Sequence, residues 1–276
     1  MAIGSLKDAL GLLRHPTTWS VGLIVGGFAF AAAATAILGE VLYSEPLAIL
    51  LFLVVPFFAG GIYGTARSKT FSSGVFVESG KTYYFKILLP GLVIFFATFL
   101  TIFLLAIPIA LLGVGAIVSM VPLTFGVLAS IVFLTFFYDT VAVFEETNVF
   151  ESIRRSIEFV MNNLGRTLLF YLINFVAFVA LWFAGSFAWT MLLADKLEAI
   201  TSMNPAEIAE MMPQDILALV GTDGMWLIAG ITAVVVVLFS AFLYAYKVSF
   251  FQNHSAARST RMPQGVYDEK GRWYKY

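Results

Sequence analysis

Three carboxylates, Asp139, Glu145 and Glu146, fall within eight residues at the end of a long uncharged run, in Phe136-Phe137-Tyr138-Asp139-Thr140-Val141-Ala142-Val143-Phe144-Glu145-Glu146. Acidic groups at the edge of an apolar segment can gate a solute or a proton, hold a metal or act as a general acid. They can also fasten a neighbouring basic segment through charge-assisted hydrogen bonds. Arg154, Arg155 and Arg166 follow closely enough for the last role. The spacing therefore predicts an acidic collar facing these arginines, a latch between two successive membrane helices, with the gate and the metal or general-acid site as alternatives.

Other chemistry is sparse. The chain has no cysteine, which excludes disulfides, thiolate metal sites, iron–sulfur clusters and cysteine catalysis. His15 and His254 stand at opposite ends, both expected in polar surroundings, so a histidine-based metal centre is not expected. No GxSxG, HExxH, P-loop or Rossmann fingerprint occurs. Asp139 has no second buried aspartate for intramembrane proteolysis. No catalytic, cofactor-binding or metal-ligating residue is assigned, and enzyme activity is not the expectation.

What must position the collar is a membrane bundle. The 276 residues are 60% hydrophobic and 12% charged, with 28 phenylalanines and a mean hydropathy of +0.91, outside the balance of a soluble domain. A net charge of −1 provides no field for nucleic acid. About 20 apolar residues cross a bilayer. Six uncharged runs qualify: Trp19 to Leu38, Leu47 to Ala66, Ile87 to Leu111, Ala116 to Tyr138, Thr167 to Ala194 and Met225 to Tyr246. The third and fourth share the 52 residues between Lys86 and Asp139, with the turn placed at Leu112 to Gly115. The first run is too long for the apolar part of a leader peptide and reads as an uncleaved span.

With both termini in the cytoplasm, 15 of the 16 lysines and arginines lie on the inner side and only Lys196 lies outside, while the acidic residues divide nine to eight. That bias in basic residues alone is the positive-inside pattern. The expected location is the cell membrane, multi-pass, with cytoplasmic N- and C-termini.

Each pair of spans is preceded by a mixed apolar and polar segment: Ser5 to Arg14, Thr70 to Lys81 and Asn148 to Met161. In the third, Val149, Ile153, Ser156, Ile157 and Val160 follow helical spacing, Asn148 and Glu151 suit a capping box, and Asn162-Asn163-Leu164-Gly165 suits a stop. The expected fold class is all-α: a polytopic bundle of six transmembrane helices with three amphipathic cytoplasmic surface helices and short helices in the last outer loop, started by Asn204-Pro205-Ala206-Glu207 and Met212-Pro213-Gln214-Asp215. Residues 1–251 form one membrane domain of three helix-and-hairpin units, 5–69, 70–147 and 148–251, and residues 252–276 a cytoplasmic tail. In that tail Trp273, Tyr274 and Tyr276 could touch headgroups.

Gly22/Gly26 and Gly60/Gly64 carry the four-residue small-residue interval that lets helices approach closely, expected to pack the first hairpin or to meet another subunit. Pro56, Pro90, Pro108 and Pro122 are candidate kinks. Asn174, Ser186, Thr190 and Ser240 are candidate contacts between spans. Lys247 closes the sixth span, where it can snorkel, and Tyr244 and Tyr246 suit an interfacial aromatic belt.

The six-span layout, together with Asp139 to Glu146, Ser152-Ile153-Arg154-Arg155-Ser156-Ile157-Glu158-Phe159-Val160 and the stop at Asn162-Asn163, resembles uncharacterised prokaryotic, often archaeal, multi-span membrane proteins. These include domain-of-unknown-function families and the membrane domain attached to some glycerophosphodiester phosphodiesterases. The resemblance implies membrane integration and a role in lipid or envelope organisation. It supplies no catalytic residues, because the soluble phosphodiesterase domain has no counterpart here. The expected function is an integral membrane protein that organises lipids or partner proteins; the alternative is a transporter or channel for an apolar or lipid-like molecule. Expected partners are membrane lipids, with a second copy of the chain or another membrane protein as candidates, and no nucleic acid.

Overall fold

The computed structural model describes residues 2–39, 44–112, 114–195, 198, 213–259, 266–267 and 273–274. Its order is α1 (Ala2–Leu12), a 3-10 turn (Pro16–Trp19), α2 (Ser20–Ile37), α3 (Ser44–Ser68), α4 (Ser73–Leu112), α5 (Val114–Thr135), α6 (Tyr138–Phe144), α7 (Val149–Asn162), α8 (Leu164–Leu192) and α9 (Pro213–Ser259). A two-residue antiparallel pair, β1 (Val266–Tyr267) with β2 (Trp273–Tyr274), lies in the tail. Six helical segments are long and apolar enough to cross a membrane: Pro16–Ile37, Glu45–Ser68, Ser73–Ile107, Pro122–Phe144, Leu164–Leu192 and Val220–Ser255. Each contains most or all of one expected run, and α4 ends at Leu112 and α5 begins at Val114, inside the stretch from Leu112 to Gly115 expected to hold the turn.

The second surface segment is not separate. Ser73 to Lys86 forms the first turns of α4, which at about 1.5 Å per residue is roughly 60 Å long, twice a hydrocarbon core of about 30 Å. The only helix breaker near the expected boundary is Gly80, and it serves a close approach instead: a Cβ there would lie 2.9 Å from the Phe57 carbonyl oxygen of α3. By contrast, α7 forms as the spacing predicts. The Asn148 side-chain oxygen accepts the Glu151 N–H (3.0 Å), although the Glu151 carboxylate turns to arginines of its own helix rather than completing the box. Helix α9 begins at Pro213 and is broken at Gly221 (φ 70°, ψ 172°), so Pro213 starts a short helical piece ahead of the sixth span. The start expected at Asn204 lies outside the described residues.

Both glycine intervals make close helix contacts, but not within the first hairpin. A Cβ on Gly22 would come 2.4 Å from the Val237 carbonyl oxygen, and one on Gly26 would lie 2.8 Å from that of Ala233, so α2 lies directly on α9. The second interval seats α3 on α4, where Gly64 faces the Ser79 side chain. Small residues on the facing turns, Ala233 and Ala241 in one case and Ser79 and Gly80 in the other, complete the two contacts. The four proline positions lie within continuous helices.

An aromatic-rich buried cluster sits at the end of the bundle that carries α1 and α7. There Phe137, Phe159, Phe170, Phe250 and Phe251 are buried, with Phe159 and Phe251 rings 4.9 Å apart and Phe170 and Phe250 also 4.9 Å apart. Elsewhere large apolar side chains face outward, as on α8, where Phe175, Phe183 and Phe187 are exposed. Such a surface suits hydrocarbon rather than water.

Candidate functional site

The fourth span is interrupted. Helix α5 ends at Thr135 and α6 restarts at Tyr138, leaving Phe136 and Phe137 as a turn inside an apolar environment. Backbone groups freed there need partners, because hydrocarbon offers none. Ser156 of α7 supplies two: its hydroxyl donates to the Leu134 carbonyl (3.0 Å) and accepts the Phe137 N–H (3.1 Å). The Tyr171 hydroxyl donates to the Phe133 carbonyl (3.3 Å), while the Phe137 carbonyl accepts the Val141 N–H (2.9 Å) as well as the Thr140 hydroxyl (2.8 Å). The surface helix α7 is therefore fastened to the break by a serine.

The break places Asp139 in the first turn of α6, facing the bundle interior at 5% exposure. Its Oδ1 accepts the Thr140 N–H (2.7 Å), and its Oδ2 accepts the Tyr63 hydroxyl of α3 (2.8 Å). Lys247 of α9, also 5% exposed, bridges both oxygens, with Nζ 2.7 Å from Oδ1 and 2.8 Å from Oδ2. The ammonium also lies 4.1 Å from the centroid of the Phe136 ring, a cation–π distance. A carboxylate, an ammonium and a phenol from three separate spans thus form one electroneutral, hydrogen-bonded centre. Burial of either charge alone would be very costly in this setting.

This geometry corrects the expected collar. Asp139 meets Lys247, not an arginine. Glu146 meets Arg67 (2.5 Å), whose Nη1 also donates to the Val143 carbonyl near the end of α6 (2.8 Å) and to the Tyr83 hydroxyl of α4 (2.9 Å). Arg67 thereby lowers the Glu146 carboxyl below the usual carboxylate range. Arg154 and Arg155 pair with Glu151 and Glu158 of their own helix, and Arg166 makes no ion pair among the described residues. Glu145 is one of several charges that raise the Arg155 pKa, behind the Glu151 hydrogen bond.

Three further expectations change. Lys247 does not snorkel, since α9 continues as an apolar helix past it, with Phe250 and Phe251 fully buried. Tyr246 is buried against Phe170 (4.8 Å), and His254 is 3% exposed with a ring nitrogen on the Phe250 carbonyl. Asn174 and Thr190 bond to their own helix backbone, at Phe170 and Ser186, rather than across spans.

Beside the charged centre lies a half-open cavity of about 380 Å³. Its walls are apolar faces of α3 and α4, including Leu51, Phe52, Val55 and Leu88; Tyr138, Asp139 and Tyr244 form its polar end. Gly91 is part of the wall, and a Cβ there would meet the Tyr138 hydroxyl at 2.8 Å. Two other clefts, about 280 and 530 Å³, flank the α8–α9 contact at Gly185 and are lined largely by aliphatic and tryptophan side chains remote from the charged centre. The cavity on α3 and α4 alone among these joins an apolar wall to the buried charges.

Lys247 and Tyr63 were not singled out with Asp139 by the sequence, yet a signal for the lysine exists. Between Asp223 and Arg258 it is the one acidic or basic residue among the Asp, Glu, Lys and Arg positions, just as Asp139 is the first such residue after Lys86. Two isolated opposite charges in apolar runs ask for each other. Tyr63 carries no comparable mark, since any of 11 tyrosines could have donated.

An all-helical bundle with six helices of membrane-crossing length fits an integral, multi-pass membrane protein. The chain belongs to the family described as Domain of unknown function (DUF7847), whose model matches residues 1–254. The comparison shows no link to the membrane domain of glycerophosphodiester phosphodiesterases. No curated protein and no solved structure matches the chain.

Proposed function

We propose that this protein organises membrane lipid: the cavity between α3 and α4 holds the chain of a lipid molecule against the bundle, and the Asp139–Lys247–Tyr63 centre fixes the helices that shape it. The observation that carries the reading is the half-open cavity of about 380 Å³, within the usual ligand range of about 300–1,000 Å³, with apolar walls and a polar end. A lipid chain gains by filling such a wall, while the ion pair holds α6 to α9 and the Tyr63 hydrogen bond adds α3, without exposing a net charge. The protein sits in the cell membrane with both termini in the cytoplasm, as the distribution of Lys and Arg favours.

The test is lipid analysis of protein purified in mild detergent, beside a Gly91→Phe variant that fills the cavity. Retention of lipid by the wild type and its loss from the variant, with the helical content of both unchanged, would support the reading. Equal retention by both would sink it. Transport of a lipid-like molecule is the second reading, favoured by the placement of ionisable groups at the end of the cavity. It requires the purified protein to accelerate lipid movement between the leaflets of liposomes.

A further inference from the structure

The groups that face the cavity differ in what they have left to offer. The Asp139 carboxylate is already filled: four close contacts, from Thr140, Tyr63 and both approaches of Lys247, occupy about the four acceptor positions a carboxylate has. Its charge is balanced by the ammonium. Tyr138 and Tyr244 line the same end, and neither hydroxyl makes a hydrogen bond with a described residue. The polar end of the cavity therefore has unused phenol donors and a saturated, neutral pair behind them.

A ligand that matches this end brings acceptor oxygens and no net charge. Asp139 lines the cavity, so an anionic head would lie beside its carboxylate and be repelled in surroundings that screen charge poorly, and a cationic head would lose its hydration to a carboxylate already neutralised by Lys247. A second acceptor lies in the wall itself: Pro56 has no N–H, so the Phe52 carbonyl lacks its intrahelical partner, and both residues line the cavity. A head with ester carbonyls and one hydroxyl has the acceptors for the phenols and a donor for such a carbonyl.

We propose that Tyr138 and Tyr244 form a head-group subsite for an uncharged acyl-ester lipid of the diacylglycerol class, whose carbonyl oxygens accept from the two phenols while its chain lies along α3 and α4. The subsite rests on the lipid-binding reading above and adds head-group selection to it. Asp139 acts here by exclusion, repelling anionic heads, while Lys247 fills and neutralises its carboxylate.

Photo-crosslinking tests the subsite on the full chain in nanodiscs of phosphatidylcholine. A diacylglycerol with a photoreactive acyl chain is the probe, and peptides from residues 44–112 are the readout. Unlabelled diacylglycerol should displace the probe about 10-fold more effectively than phosphatidic acid, which carries the same esters and an anionic head. The double variant Tyr138→Phe, Tyr244→Phe should weaken diacylglycerol competition by about 10-fold, the loss of two neutral hydrogen bonds, and abolish the preference. Thermal stability of that variant, measured alongside, should stay near wild type. Labelling with no preference between the two competitors, or a preference that survives the double variant, would overturn the subsite while leaving chain binding in place. If no peptide of α3 or α4 is labelled at all, the lipid-binding reading falls with it.

Discussion

Lys247 and Asp139 stand 108 residues apart in the chain and 2.7 Å apart in the fold, joining the sixth span to the interrupted fourth. Removing one partner leaves a buried, uncompensated charge, whereas removing both leaves neither. Lys247→Met and Asp139→Leu should each destabilise the protein by about 3–5 kcal/mol, and the double variant by clearly less than either. Thermal unfolding in detergent reads the cycle. Additive losses would show that the two residues do not act as a pair.

Ser156 and Arg155 are neighbours on α7 with opposite weights. Ser156→Ala orphans the Phe137 N–H and the Leu134 carbonyl at the break, a loss of about 1–3 kcal/mol, and should increase proteolysis of the 146–166 segment. Arg155→Ala removes contacts to Glu151 and Glu158 on its own half-exposed face and should cost no more than about 1 kcal/mol. Equal protease sensitivity in the two variants would contradict this division.

The Glu146–Arg67 pair gives the protein an acid-sensitive link. The Glu146 carboxyl is lowered by the Arg67 hydrogen bond, so its contribution is present above the ordinary carboxylate range and fades as pH falls through the lowered value. Stability measured from pH 7 downward should show a loss in that acidic window that is absent in Glu146→Gln. Glu146 also adopts φ 52°, a conformation glycine takes freely, so Glu146→Gly should be less destabilising than Glu146→Ala.

The spans were legible because each needs only length and apolarity, and the change from α4 to α5 after Leu112 followed from a charge-free run long enough for two crossings. Helix α7 was legible because its polar and apolar faces alternate at helical spacing. The partner of Asp139 was not, since arginines close in sequence drew attention from an isolated lysine on another helix. The break at Phe136-Phe137 carries no proline or glycine; it persists because side chains from α7 and α8 receive the backbone groups it frees. For the same reason, the glycine intervals announced close contacts without naming the helices they would touch.

The lipid account meets its most direct test in a density map of the protein in lipid nanodiscs. It predicts an elongated density along the cavity wall from Phe52 past Gly91, ending at Tyr138 and Tyr244, with the Asp139–Lys247 pair intact behind it. A cavity closed by its own side chains, or one filled only by water reaching Asp139, would contradict it.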